Sequence, residues 1–326
     1  MNFHQLQYAL AIARHGLSVT NAAAALGTSQ PAISRALKEL EKELGFDLFV
    51  REGRSFARVT SEGQRVLEYA SRALAEIDSL KSVVADLNQD ARGTLSIATT
   101  HTQARYVLPP VIQAFRRRYP EVDLHLHQGT SEQISEMVAA DRVQLAIATG
   151  SEALFPELVL LPVYRWHRQV IVPRHHPLAR AGAPKLTLAI LEKYPLVTYV
   201  FSFSGPSSLE TLFAREGLKP RVALTARDSD VIKTYVRLGM GVGIVASVAF
   251  EPDVDTDLVM VDASHLFPIH TTWIGFRRGT LLRNFAYDFM QLFGSHLNRR
   301  LIDRAVEARD GESKAQLFSK IQLPIR

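Results

Sequence analysis

The run Thr99-Thr100-His101-Thr102-Gln103 gathers hydroxyl, imidazole and amide groups where a β-branched segment gives way to a helical pattern. At such a junction the first backbone N–H groups of the helix lack internal acceptors and the positive end of the helix dipole faces outward. The chemistry this suits is recognition of a small anion. Thr149 closes a second β-branched run, and Phe203-Ser204-Gly205 precedes a third helical pattern, so each adds a donor of the same kind. Ligands of open α/β sheets lie outside the carboxyl ends of the strands. Thr100, Thr102, Gln103, Thr149 and Ser204 therefore form the candidate set for one small-molecule site. Any one of them alone reads equally well as a helix cap; three such loops meeting at one cleft favour a ligand.

A second group, nearer the N-terminus, suits nucleic acid. Thr28-Ser29-Gln30-Pro31 has a capping hydroxyl and a proline in the first turn, where its missing N–H is harmless. The helix it begins presents Gln30, Ser34, Arg35 and Lys38 on one face. Glutamine pairs with an adenine edge, arginine with guanine or phosphate, and serine with either. Arg51, Arg54 and Arg58 flank a hairpin tip at Glu52-Gly53-Arg54, where they would meet the phosphate backbone.

Other arrangements carry less. Gly239, Gly241 and Gly243 follow a helix and precede a strand, the reverse of a dinucleotide-binding loop, and read as a helix end and tight turn. His125 and His127 share a strand face but have no third metal ligand at matching spacing. Arg116-Arg117-Arg118 sits at a helix end, where cations favour the dipole and solvent. The chain has no cysteine, which excludes disulfides and thiolate chemistry. With no nucleophile–base pair, metal set or cofactor loop, the expectation is a binding protein without enzymatic activity or cofactor.

The elements that must position these groups follow from periodicity. Phe3, Leu6, Leu10 and Ala13 make the stripe of a half-buried helix ended by Gly16. Ser18 caps a short alanine-rich helix, Val19–Leu26, and Gly27 makes the turn into the helix begun by Ser29-Gln30. Ile33, Leu37, Leu40 and Leu44 line its apolar face. Asp47–Arg51 and Ser55–Val59 read as a small hairpin, so residues 1–60 predict a winged helix-turn-helix. From Thr60 a helix runs to about Leu87, with Val66, Ala70, Ala73, Ile77, Leu80, Val84 and Leu87 on a heptad seam. Its length exceeds what one small domain buries, so pairing with a second copy is expected over 61–90, as a homodimer or homotetramer.

Residues 91–298 alternate β-branched runs with helices, the mark of an α/β domain. Expected strands are Thr94–Thr99, Val122–His127, Leu145–Thr149, Gln169–Pro173, Leu196–Tyr199, Arg221–Thr225, Gly243–Ala246, Leu258–Val261 and Thr272–Phe276. Expected helices are Ala104–Tyr119, Glu132–Ala140, Ser207–Glu216, Asp228–Leu238 and Leu282–Leu297. Residues 299–326 read as a polar, helix-prone tail. The longest apolar stretch, Gly239–Phe250, is short of the roughly 20 residues a membrane span needs. No secretory signal pattern opens the chain, so a cytoplasmic protein is expected.

Charge does not carry the nucleic-acid reading. The chain of 326 residues has a formal net charge of +5, yet residues 1–90 hold 10 Lys/Arg against 11 Asp/Glu. The pattern carries it instead. The segment SVTNAAAALGTSQPAISRALKELEKELGFDLFVREGR, followed by VTSEG and the heptad helix, resembles the LysR-type transcriptional regulators. That resemblance implies a two-lobed effector domain like a periplasmic binding protein, with lobe I at about 92–162 plus 269–297 and lobe II at about 163–268. It also implies double-stranded promoter DNA as partner, and RNA polymerase if the protein is an activator.

Within that family, LSIATTHTQARYVLPPVI, YPEVDLHLHQGT, YPLVTYVF, DSDVIKTYVRLGMGVGIV and TTWIGFRRGTLLRNFAYDF are similar to the branch controlling sulfur assimilation and cysteine biosynthesis. The resemblance implies an acetylserine-type inducer (O-acetylserine or N-acetylserine), or sulfate or thiosulfate, held by Thr100, Thr102, Gln103, Thr149 and Ser204. Ser204 replaces the branch's usual threonine and Ser202 its usual glycine. Gly150-Ser151 replaces an acidic residue and alanine, and Ala32 and Arg35 replace glycine and lysine in the recognition helix.

Overall fold

Side-chain oxygens set the first helix starts. Asn2 caps α1 (Phe3–Arg14) with a reciprocal bond from Gln5, Ser18 caps α2 (Val19–Ala25), and Ser29 caps α3 (Gln30–Leu44). Gly27 at φ +62° makes the turn between α2 and α3, a left-handed conformation that a Cβ would strain. Gly45 at φ +80° ends α3. The structure, a computed structural model, describes residues 1–53, 55–87, 92–150, 152, 155–180, 185–203, 208–308 and 311–326. The chain divides into two compact units, Met1–Asp90 and Ala91–Arg326.

In the first unit Leu6, Ile12, Ala22, Ala23, Ile33, Leu37 and Leu40 share one core, where the alanines let α2 approach closely. Phe3, expected on the buried stripe of α1, is 58% exposed; it lies in the first turn, beyond the edge of that core. β1 (Phe49–Glu52) and β2 (Ser55–Val59) form the antiparallel wing. The buried carboxylate of Glu41 accepts from Leu48 N at 2.9 Å and from Arg51 Nη2 at 3.4 Å, which ties the wing to α3. α4 (Ser61–Leu87) follows. Its seam residue Ala70 is buried in this core, whereas Leu80 and Val84 are exposed.

The second unit holds two five-stranded sheets. In the first, the order is β4 (Val122–Gln128), β3 (Gly93–Thr99), β5 (Leu145–Thr149), β12 (His270–Arg277) and β6 (Leu158–Trp166). In the second it is β11 (Leu258–Val261), β7 (Arg168–Pro173), β10 (Val242–Ala246), β8 (Leu196–Tyr199) and β9 (Val222–Ala226). β3, β4 and β5 are parallel, as are β8, β9 and β10. This is the two-lobed α/β architecture, with the chain crossing once at Trp166–Arg168 and returning before His270. α5 (Leu108–Arg118), α6 (Ser131–Ala139) and α10 (Asn284–Phe293) pack on the first sheet; α7 (Leu188–Leu191), α8 (Leu209–Arg215) and α9 (Ser229–Arg237) belong to the second lobe.

Three expectations need correction. The run Leu158–Trp166, for which alternation predicts no strand, is β6, so the first sheet continues to Trp166 and past 162. It is buried on both faces, which erases the period-two signal. Its Pro162 is accommodated by a register shift between Thr272 and Trp273 in β12. The helix expected at Ala104–Tyr119 is interrupted: Gln103–Val107 is a π-turn and only Leu108 onward is α-helical. Pro109 and Pro110 supply no N–H to the preceding carbonyls, so the Leu108 N–H reaches back to Gln103 O. Finally, residues 299–326 are not merely a tail. In α11 (Arg299–Glu307) Ile302 and Ala305 join the first-lobe core, and α12 (Gly311–Phe318) adds Leu317 and Phe318. Beyond it, Arg165 N donates to Pro324 O and Arg326 N to Arg165 O, clamping the last residues along β6.

Gly243 explains part of the glycine cluster. A Cβ there would lie 2.5 Å from Ile171 and 2.7 Å from Val236, so β10 and α9 meet over a bare backbone. Among the described residues, no helix is long and apolar enough to cross a membrane.

Candidate functional site

The first unit offers α3 and the wing. Gln30, Pro31, Arg35 and Lys38 are exposed, Ser34 is half-buried, and Ser29 is occupied as the N-cap. Thr28 is half-buried, and its N–H closes the turn onto Ala23 O. The Gln30 amide bonds to the Thr20 hydroxyl of α2, which orients it along the helix start. Thr20 was not a sequence candidate, although an exposed hydroxyl on the helix preceding the turn is the place for such a contact. Arg35 is 84% exposed at its side chain and pairs with Glu39, four residues on, at 3.1 Å. Arg51 lies over the Phe56 ring at 4.7 Å and Arg58 is exposed. Arg54 lies outside the described residues. The result is an exposed helix end with amide, hydroxyl and guanidinium groups, beside a basic hairpin, as groove and phosphate contacts require.

In the second unit, β3 ends at Thr99 and the chain turns at Thr100 into the helical segment. Ala104 N, bonded to Thr100 O at 3.1 Å, closes the first turn, so the N–H groups before it precede the helix's own hydrogen bonding. Thr149 stands at the end of β5, next to β3, and its hydroxyl is 3.2 Å from that of Thr272 on β12. Thr272 also meets the Gln103 Nε2 at 3.4 Å. Thr102 stands near the buried Tyr199 hydroxyl at the end of β8, on the side facing the second lobe; that hydroxyl itself meets Ser229 at 2.5 Å and accepts from Ala246 N at 3.1 Å. Thr100, Thr102, Gln103 and Thr149 are thus brought to one edge of the first sheet. Ser204 lies outside the described residues.

Gln103 differs from what its sequence position suggests. Its side chain is 2% exposed and fully engaged, with Oε1 accepting from Tyr164 at 2.6 Å. Its side-chain amide is therefore part of the scaffold, and what it can present to a ligand is its backbone N–H. Tyr164, Thr272 and Tyr199 were missed as candidates, because each reaches the cluster from a strand distant in sequence. Burial first of all pushes the Tyr164 and Tyr199 phenols up, so both stay protonated donors. Ser202, the replacement for a usual glycine, is buried with its hydroxyl 3.3 Å from Thr198.

The two lobes also meet through charge. Tyr106 donates to Asp230 at 2.7 Å, His101 Nε2 lies 3.6 Å from the same carboxylate, and Arg105 pairs with Glu251 at 3.3 Å. Burial, then the Asp230 bond, raises the Tyr106 pKa. The ligand atoms of His101, Asp228 and Asp230 lie within 4.8 Å of one another. His125 and His127 are both exposed on the edge strand β4.

Comparison with known proteins follows the same division. Residues 3–64 match the family described as bacterial regulatory helix-turn-helix protein, lysR family, and residues 88–298 match the LysR substrate binding domain. The chain is similar to the HTH-type transcriptional regulator CysB of Haemophilus influenzae, at 46% identity over 323 residues and 99% of each chain. It is similar to the HTH-type transcriptional regulator cbl of Escherichia coli, at 41% identity over 94% of this chain and 96% of the relative. Among solved structures, the cofactor-binding domain of the Cbl transcriptional regulator is 43% identical with a TM-score of 0.61, covering 67% of this chain and 94% of that one.

Proposed function

The chain belongs to the LysR family of bacterial helix-turn-helix regulators, and from that premise we propose that it controls sulfur assimilation and cysteine biosynthesis genes. In this reading α3 and the wing bind promoter DNA and the cleft of the second unit binds a small effector. The single observation that carries the effector part is that the ends of the adjacent strands β3 and β5 bring Thr100, Thr102 and Thr149 to one sheet edge beside a helix start, with neutral donors suited to sulfate, thiosulfate, O-acetylserine or N-acetylserine. The likeness to CysB over 99% of the chain supports the sulfur regulon. A related regulon of sulfonate or sulfate-ester use would employ the same cleft.

The exposed Leu80 and Val84 on α4 support assembly with a second copy, as homodimer or homotetramer, in the cytoplasm. Binding shifts an existing balance between lobe settings, and through it the DNA-bound assembly. If the protein is an activator, RNA polymerase is the further partner.

Calorimetric titration of the full chain with those four compounds tests the reading. At least one is expected to bind, and Thr102→Ala or Thr149→Ala to weaken it by about tenfold. Absence of binding by all four would remove the sulfur assignment and leave the family intact.

A further inference from the structure

Where the chain crosses between the lobes, five buried nitrogens find no hydrogen-bond partner among the described residues: Trp166 Nε1, His167 Nδ1, Arg168 Nε and Nη1, and His270 Nε2. Trp166 ends β6, Arg168 starts β7, and His270 starts β12, the strand that returns to the first lobe. Trp166 and His270 are opposite one another in register and their rings stack at 4.6 Å. Arg168 is only 5% exposed, and no carboxylate of the described residues pairs with it. The Tyr199 phenol nearby is neutral and supplies no counter-charge.

A buried cation without a counter-charge is costly and persists where something supplies that charge. Guanidinium and indole are donors only, and the guanidinium remains protonated. Even so, burial lowers the Arg168 pKa, and the Arg168 charge, after burial, helps hold His270 neutral. The complement of such a set is an anion with at least two acceptor oxygens, and the planar fork of arginine matches a carboxylate. The place is adjacent to the Thr100–Gln103 turn: Ala246, opposite Arg168 in register, donates to the Tyr199 hydroxyl at 3.1 Å, and Thr102 stands near that same hydroxyl.

We propose that Arg168, together with the Trp166 indole N–H, is a carboxylate subsite of the effector cleft. It would take the carboxylate of an acylated amino acid whose other polar groups face Thr100, Thr102 and Thr149. The proposal rests on the reading that the cleft binds a small effector, and it names the charged residue that the hydroxyl cluster lacks.

The test uses the full chain and two probes, N-acetylserine and N-acetylserinamide, in which a neutral amide replaces the carboxylate. The wild-type protein is expected to prefer the acid by about tenfold or more. Arg168→Met, whose folding is checked by thermal unfolding, is expected to lose about tenfold in N-acetylserine affinity and nothing for the amide. Trp166→Phe, which keeps the ring and deletes the donor, is expected to lose about threefold for the acid. Wild-type affinity for N-acetylserine in folded Arg168→Met overturns the subsite. If that variant does not fold, equal binding of acid and amide by the wild type, or an unaffected Trp166→Phe, overturns it instead. Loss of binding in Thr102→Ala with Arg168→Met unaffected refutes the subsite and leaves the effector reading standing. A wild-type protein that binds neither probe nor sulfate, thiosulfate or O-acetylserine refutes both.

Discussion

The Tyr164 hydroxyl donates to Gln103 Oε1 at 2.6 Å, and this fixes which way the buried amide points. With its oxygen taken, Gln103 turns Nε2 towards Thr272, whose hydroxyl meets Thr149. A chain of four side chains thus runs from β6 to the end of β5 and holds the turn at Thr100–Gln103 in place. Tyr164→Phe removes the donor and leaves a buried acceptor unpaired. The expected cost is about 1–3 kcal/mol of stability in thermal or urea unfolding. Effector affinity should fall along with it, by roughly threefold to tenfold in calorimetry. Unchanged affinity in a destabilised variant would show that the network supports the fold and not the cleft.

On the DNA side, Gln30 is held by Thr20 while Arg35 projects almost fully into solvent. Gln30→Ala and Arg35→Ala are each expected to cost about 1–3 kcal/mol of operator affinity at fixed salt. Stability and effector binding should stay as in the wild type, since neither side chain is in a core. Electrophoretic or anisotropy titrations check this; an unchanged operator affinity would move the recognition surface elsewhere.

Asp255 gives the second lobe an acid-sensitive anchor. Its carboxylate is buried with Lys233 Nζ at 2.9 Å and Arg237 Nη2 at 2.8 Å. Burial opposes its charge, but the Glu251 N–H, Lys233 and Arg237 outweigh that and hold its pKa below the usual carboxylate value. A depressed folded pKa means that this stabilisation is complete above the unfolded value, near pH 4, and is lost as pH falls through the folded one. Asp255→Asn leaves Lys233 buried without its partner and is expected to cost about 3–5 kcal/mol at neutral pH. Unfolding curves from pH 7 to 3 should then show a shallower acid decline in the variant than in the wild type.

His270 titrates in the same direction for a different reason. Burial first, then the charges of Arg168 and His167, hold its pKa down to about 4. The unfolded chain takes up a proton near pH 6.5 that the folded chain refuses, so stability falls as pH drops from 6.5 towards 4. The loss attributable to this residue is on the order of 3 kcal/mol. A His270→Gln variant should lose less stability than the wild type across that window, as read by urea unfolding at several pH values. Equal slopes would place the imidazole in solvent.

Much of this was visible in the residues themselves. Ser18 and Ser29 cap their helices, and Gly27, Gly45 and Gly53 take positive φ where turns were expected, because capping and left-handed turns are decided within a few residues. The strand ends at Thr99 and Thr149 were likewise legible from β-branched runs. β6 was not, since a strand buried on both faces has no alternation and Pro162 argues against it locally. The packing of 299–326 was hidden for a similar reason. Ile302 and Ala305 find their core only because α11 meets a lobe whose sheet is built from residues far away in the chain.

At the cleft the division is sharper. Sequence alone placed Thr100, Thr102 and Gln103 at a helix start and Thr149 at a strand end, because that needs only the order of strand, turn and helix. Tertiary structure decided that Gln103 is satisfied by Tyr164, 61 residues on, and Thr272, 169 residues on. It also buried the Arg168 Nε and Nη1 near Tyr199 with no acceptor among the described residues, which nothing in the spacing of Arg168 announced. Local hydrogen bonding and backbone geometry are written along the chain; which distant side chains share a low-dielectric interior is fixed only when the two sheets close around it.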